Sequence, residues 1–311
     1  MKTTKCMLSI ALVLALGLYM PAMAADHPAP PLPAATAGHA DDVGIQLTFL
    51  GCASLKIDCG DVTFLMDPFI PTLASAEHQP TASHFGAGVV LLSHGHFDHA
   101  IGVIELSRAY DIRVYCTNAA KRNLVRRGVS RALFHLIEPG DVIAFGDVSV
   151  RVYESRHGSP DIGIMLGTLR RSFSSLSNFW DALRIGLTHL AWPDGGENVI
   201  FEIQAQGKRI VVVSTLGFLE DSLPQQGADI LVVPFNGRSD PTDEAMKLVQ
   251  AMQPRAVLLS HHDNAFPPIT TDLSREIGNF LNQMREKHPA VNVVVPAFNE
   301  TMRLEDIVGG A

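Results

Sequence analysis

Aromatic and charged residues are both scarce in this chain of 311 residues: tryptophan occurs twice and tyrosine four times, and charged side chains make up 18% against 47% hydrophobic. Low charge with ample apolar material excludes a generally disordered chain and predicts a packed globule with a sizeable core. Positive charge is in deficit as well, 24 Lys and Arg against 32 Asp and Glu, for a formal charge of -8. Nucleic acid is therefore not an expected partner. The one basic run, AKRNLVRRGVSR at 120–131, lacks interleaved aromatics and reads as a solvated helix face. Cysteine occurs four times, as Cys6, Cys52, Cys59 and Cys116. Three of these lie beyond the N-terminal leader, an odd number that excludes complete pairing within one molecule. The strand-like SLKID between Cys52 and Cys59 also argues against that disulfide, so the cysteines are expected as small buried residues.

The N-terminus reads as an address. Lys2 and Lys5 precede the uncharged MLSIALVLALGLYM, and Ala22 and Ala24 bracket Met23 in an A-x-A pattern, which predicts a signal peptide over 1–24 and export to a periplasm or beyond. An uncleaved membrane anchor is the competing reading, since residues 6–25 carry no charge. Residues 25–43, rich in Pro and Ala and without periodicity, read as a flexible leader, and the folded domain is expected over 44–311.

Within that domain IQLTFL, SLKIDC and VTFLMD follow one another closely and predict an antiparallel meander. VVLLS, RVYC, DVIAF and VSVRVYES continue the strand pattern, and VIFEIQ, RIVVVS, DILVVPF, AVLLSH and VNVVVP resume it after residue 195. Helices are expected near 100–109, 118–127, 241–252 and 271–286. Strand-rich halves on either side of residue 160 suggest an α/β fold of two packed sheets with helices outside.

The chemistry concentrates in LLSHGHFDHA at 91–100. H-x-H on an extended segment puts both imidazoles on one side, so His94 and His96 can grip one cation, while Asp98 and His99, past a turn at Phe97, can face a second position. Gly95 leaves the backbone between them unobstructed. Asp67 ends the apolar strand FLM ahead of Pro68, a costly place for an unpaired carboxylate.

The L-x-D-P at 65–68 followed by S-H-G-H-F-D-H at 93–99 resembles the metallo-β-lactamase fold superfamily. LGCASLKIDCGDVTFLMDP is similar to the opening of the L-ascorbate-6-phosphate lactonase-like metal-dependent hydrolases, and the likeness runs over about residues 45–303. The resemblance implies a four-layer αββα sandwich of two mixed sheets flanked by helices, with metals at one edge. It implies that His157 completes the first site beside His94 and His96. It implies a second site of Asp98, His99 and His261, with His262 as an alternative ligand. Asp67 is then expected to accept a hydrogen bond from a ligand histidine or from backbone near the metals. Zinc is the expected ion, one or two per chain, with Mn2+ or Fe as alternatives; water bound to it would reach a pKa of about 7, with Asp98 orienting that water and taking its proton. One departure stands out. Where such proteins commonly carry a bridging aspartate, this chain has VVVSTLGF, with Ser214 and Thr215 in place and no carboxylate; Thr215 is expected beside the ligands rather than among them. The implied activity is hydrolysis of an ester, lactone, amide or phosphodiester; the alternative is a non-hydrolytic metal- or ligand-binding module.

TLRRSFSSLSNFWDALRIGLTHLAW at 168–192 is the least family-like stretch. Leu169, Phe173, Leu176, Trp180, Leu183, Leu187 and Leu190 recur at spacings of four and three, which predicts one helical face. It reads either as a helix packed on the sandwich or as a cap that offers an apolar wall and arginines to an acyl or phosphorylated small-molecule substrate, or touches a membrane surface. His189 is expected to pack, not to ligate.

Overall fold

The computed structural model describes residues 44–309 apart from Ala74, Pro193 and Asp194. The expected signal peptide and leader lie outside the described residues. Strands β1 (Gln46–Phe49), β2 (Leu55–Cys59), β3 (Val62–Met66), β4 (Val89–Leu91), β5 (Arg113–Cys116) and β6 (Phe134–Leu136) build the first sheet. The second contains β7 (Val142–Phe145), β8 (Val148–Ser155), β9 (Asn198–Ala205), β10 (Lys208–Val212), β11 (Ile230–Pro234), β12 (Ala256–Ser260) and β13 (Asn292–Val294). A last strand, β14 (Thr301–Arg303), returns to the first sheet beside β1, giving the orders β14-β1-β2-β3-β4-β5-β6 and β13-β12-β11-β10-β9-β8-β7.

The meander β1-β2-β3 is antiparallel as expected, whereas β3-β4-β5-β6 and β10-β11-β12-β13 run parallel. Composition follows pairing. Strand β2 alternates buried Leu55, Ile57 and Cys59 with half-buried Lys56 and Asp58, while β11 and β12 are buried along their whole length and read ILVVP and AVLLS. The boundary between sheets falls between β6 and β7, not near residue 160. The hairpin β7-β8 pairs through β8 with β9, so the chain changes sheets about 20 residues before the long insertion. A break in hydropathy marks where elements stop; it carries no information on which sheet they join.

Three apolar layers hold these sheets. Phe49, Leu55, Phe64, Val150, Phe201 and Leu258 meet between them. Helices α1 (Ala82–Phe85), α2 (Phe97–Ala100), α3 (Gly102–Ala109) and α4 (Asn118–Val125) lie on the first sheet, over Leu65, Val90 and Val114. Past the insertion helices α5 (Ile162–Ser172) and α6 (Leu176–Ala191), α7 (Thr242–Met252) and α8 (Ser274–Lys287) cover the second sheet, over Val211, Leu231 and Val257. The short α9 (Leu304–Gly309) closes the chain. The result is the four-layer αββα sandwich. Cys52, Cys59 and Cys116 are buried and free.

The insertion is two helices rather than one, and it begins six residues earlier than the apolar spacing suggests. Ser175 breaks the run, its hydroxyl accepting from Asn178 N at the start of α6, and Asp161 caps α5 in the same way through Ile164 N. Arg171 donates to the carbonyls of Pro268 (2.7 Å) and Ile269 (2.8 Å). Ile185 and Trp192 sink into the layer above the first sheet. Neither belongs to the predicted apolar face, whose seven members all point outward: Leu176 is 74% exposed, Phe173 66% and Trp180 52%.

Candidate metal centre

The candidate ligands all leave the same end of the sandwich. Strands β3 and β4 of one sheet and β8, β10 and β12 of the other end there, so Asp67, the 93–99 segment, His157, Ser214 and His261 arrive at one edge from both sheets. Asp67 is the hub. It is 1% exposed, its backbone lies in the left-handed region (φ 41°), and Ser54 Oγ fixes its carbonyl at 2.9 Å. Its Oδ1 accepts from Ser93 N at 2.7 Å, and Oδ2 accepts from Ser93 Oγ and Ser214 Oγ at 2.7 Å and from His99 Nδ1 at 2.9 Å. Four charge-assisted hydrogen bonds offset the cost of burying this carboxylate, and they join both sheets.

His94 is also 1% exposed. Its Nδ1 lies 2.9 Å from Ser93 Oγ, and its buried Nε2 has no hydrogen-bond partner. An imidazole nitrogen left bare in the interior is costly unless it serves an electrophile. His96 Nδ1 and His157 Nε2 stand 3.1 Å apart, and each of the three histidines brings one donor to within 4.8 Å of the others. Burial, reinforced by the neighbouring imidazoles, holds all three below the usual histidine pKa, His96 at about 4. They are thus neutral near pH 7, with lone pairs available. The orphaned Nε2 and this convergent neutral trio fit a divalent cation.

A second group adjoins the first, with the rings of His94 and His99 4.1 Å apart. Asp98 Oδ2 lies 3.5 Å from His99 Nε2 and 3.6 Å from His261 Nε2. Burial works against the Asp98 charge, but His99 and His261 outweigh it and hold the carboxyl well below its usual range. Burial likewise opposes the His99 cation, and there Asp98 and Asp67 prevail and raise its pKa.

His262, the alternative ligand, turns away: it stacks on Phe49 at 4.8 Å, and His261 alone of the pair faces Asp98. Thr215 touches neither group's donors; its hydroxyl donates to Arg156 O and accepts from Asn198 Nδ2, both at 3.0 Å, which steadies the loop carrying His157. Glycines permit the approach of these loops. A Cβ on Gly95 would lie 2.9 Å from Ala120 Cα, and one on Gly217 would lie 2.4 Å from Gly158 N and 2.5 Å from Arg156 O.

A cavity of about 220 Å3 opens over Asp98, His99, His157 and His261, walled by Ile164, Phe266 and Arg238 among others. Sequence reasoning missed Arg238, Gly217 and Cys52. His189, expected to pack, lies with its ring 5.6 Å from that of His96 and 6.2 Å from that of Phe97, so α6 reaches the rim of the first group. Of these only Cys52 carried a signal, a thiol in the turn directly after β1, and the apolar surroundings expected of a cysteine obscured it.

Comparison with known proteins gives the family and the fold. The family model described as a beta-lactamase superfamily domain matches residues 46–261. A UPF0173 metal-dependent hydrolase of Roseobacter denitrificans is 31% identical over 40% of this chain and 55% of its own length. Another, from Methanocaldococcus jannaschii, is 25% identical over 83% of this chain and 100% of its own. Among solved structures, Igni18, a metallo hydrolase of Ignicoccus hospitalis, superposes with a TM-score of 0.54 at 15% identity, covering 84% of this chain and 98% of that one. None of these three carries a lactonase name. With its matched span reaching from β1 to His261, and with relatives named metal-dependent hydrolases, the chain belongs to the beta-lactamase superfamily.

Proposed function

We propose that this member of a metal-dependent hydrolase family is exported and cleaves an ester, lactone, amide or phosphodiester bond in a small molecule with an apolar part and an anionic group. The observation that carries the reading is the bare Nε2 of His94 beside His96 and His157, at the edge of a cavity that also holds a charged carboxylate.

His94, His96 and His157 would hold a divalent cation, for which zinc suits the all-imidazole donor set, and Asp98, His99 and His261 would contribute to a second position. When bound, such an ion acidifies water to a pKa of about 7. The protein's own part follows from the charges. Asp98 stays ionised between two imidazoles, and its carboxylate orients a water in the cavity and accepts its proton. Asp67 fixes His99 through Nδ1, so that Nε2 faces Asp98. Ile164 and Phe266 exclude water around the apolar part of the substrate, and the Arg238 guanidinium attracts its acyl or phosphoryl oxygens.

The outward apolar face of α5 and α6, with Arg170 and Arg184 nearby, supports a peripheral contact with a membrane surface, where an amphipathic substrate would be met. No helix among the described residues is long and apolar enough to cross a membrane.

The test is release of product from a panel of esters, lactones, amides and phosphodiesters, with and without zinc. Turnover that requires the ion and falls by about 10²–10⁴-fold in Asp98→Asn is expected. Tight capture of a ligand without turnover across the whole panel would instead identify a binding module.

A further inference from the structure

We propose that Cys52 is a cation ligand, its Sγ completing a second centre with Asp98, His261 and His99. The inference rests on the metal-dependent reading above and extends it to a residue that the histidine motif does not include.

Distance carries the argument. Cys52 Sγ lies 3.6 Å from His261 Nε2 and 3.8 Å from its Nδ1, and Nε2 lies 3.6 Å from Asp98 Oδ2; the three residues' donors fall within 4.8 Å of one another, and a turn of the imidazole about its side-chain torsions aims Nε2 at a shared cation. A nitrogen and a carboxylate oxygen 3.6 Å apart are too distant for a hydrogen bond. They are spaced as co-ligands: with zinc–sulfur bonds of about 2.3 Å and zinc–nitrogen or zinc–oxygen bonds near 2.0–2.2 Å, neighbouring corners of a tetrahedron lie roughly 3.3–3.6 Å apart.

The two loops that bring these donors together are tied to each other rather than merely adjacent. The Cys52 amide donates to both oxygens of Asp263, at 2.9 and 3.0 Å, and the Cys52 carbonyl accepts from His261 N at 2.6 Å. Cys52 and His261 both hold a left-handed backbone, φ 52°, in the two turns that this hydrogen bond joins. Cys52 is fully buried there, with Asp98 O also 3.7 Å from its sulfur. Cys52 belongs to the apolar layer over the first sheet, as Cys116 does, while Cys59 lies between the sheets; among the described residues Cys52 is the cysteine that stands in a candidate ligand group.

Charge gives the thiol its purpose. Among the side chains placed to ligate, Asp98 supplies one negative charge; the oxygens of Asp263 are taken by the Cys52 amide and those of Asp67 by Ser93, Ser214 and His99, while Ser214 and Thr215 carry no carboxylate. A thiolate brings the charge of the donor set to two, matching a divalent cation; burial and the nearby carboxylates of Asp98 and Asp263 hold the free thiol well above its ordinary pKa, so its proton passes to solvent as the sulfur–metal bond forms. Sulfur also selects. A centre with one soft donor favours zinc or cobalt over manganese or magnesium.

The test titrates Co2+ into metal-free, full-length mature protein, following the near-ultraviolet sulfur-to-cobalt charge-transfer band separately from the visible ligand-field bands. Two equivalents should bind, one of them raising the charge-transfer band. Cys52→Ser and Cys52→Ala should lose that band and bind the second equivalent about 100-fold or more weakly, since changes merely adjacent to ligands already cost 10–100-fold. The first equivalent should persist in both, which shows that the variants fold. Cobalt binding without the band in wild type, or binding unchanged in both variants, overturns the role of Cys52 and leaves the hydrolase reading standing. A wild-type protein that binds no cobalt overturns both.

Discussion

At the scale of single residues, Asp67 decides more than any ligand. Its four hydrogen bonds reach Ser93, Ser214 and His99, so removing the carboxylate strands several buried donors together. Asp67→Ala should destabilise the metal-free protein by about 3–5 kcal/mol, read from denaturant melts. Asp67→Asn keeps the shape and loses the charge; it should fold, and bind zinc about 10–100-fold more weakly, because His99 loses the partner that fixes its ring. Equal zinc affinity in Asp67→Asn and wild type would remove Asp67 from the metal argument. The histidines also set a pH response. His96 falls from an ordinary value near 6.5 to about 4 through burial, and His94 and His157 shift in the same direction. Between those values the unfolded chain takes up protons that the folded chain refuses. The contribution to stability is therefore complete above about pH 6.5 and is lost as pH falls toward 4. Thermal melts of metal-free protein should drop across that window, and His96→Ala should flatten part of the slope.

At the scale of elements, the loops that carry ligands depend on backbone contact. Gly217 follows Ser214 and Thr215, and a side chain there would collide with the backbone of Arg156 to Gly158. Gly217→Ala should move His157, weakening the first equivalent of zinc tenfold or more in calorimetric titration, with fluorescence and secondary structure retained. Helices α5 and α6 behave differently. Their ends are fastened by Asp161 to Ser239, by Arg171 to the 268–269 carbonyls and by Trp192 under the Arg127 guanidinium at 3.8 Å, while their outer face stays apolar and exposed. Replacing Leu187 and Leu190, 57% and 73% exposed, together by Ser removes little buried surface, so stability should change by less than about 1 kcal/mol. Co-sedimentation with anionic phospholipid vesicles should fall several-fold; retention of binding would move the membrane contact elsewhere.

At the scale of the whole molecule, the site exists only because two sheets end at one edge. Metal bound there joins them, so saturating zinc should raise the melting temperature of the intact protein, and chelation should reverse the gain. Edman sequencing of protein from the native host should begin at Ala25 if the signal peptide is removed after Ala24; a chain still beginning at Met1 would favour the anchor. Much of this architecture is legible in residue order. The meander, the parallel Val- and Leu-rich strands and the helices near 102–109 and 242–252 each follow from a periodicity confined to a few neighbours. The H-x-H-x-D-H stretch is legible for the same reason: alternate residues of an extended segment share a face whatever surrounds them.

What the order of residues could not decide is which distant segments meet. The assignment of β7 and β8 to the second sheet, the choice of His261 over His262, and the arrival of Cys52 beside Asp98 all involve partners separated by tens to hundreds of positions. Local preference sets the backbone of each strand and turn, and so determines the elements and the ligands that are near in sequence. The remaining candidate ligands are selected by packing between sheets, where burial of apolar faces fixes the register and the site inherits whatever side chains that register delivers.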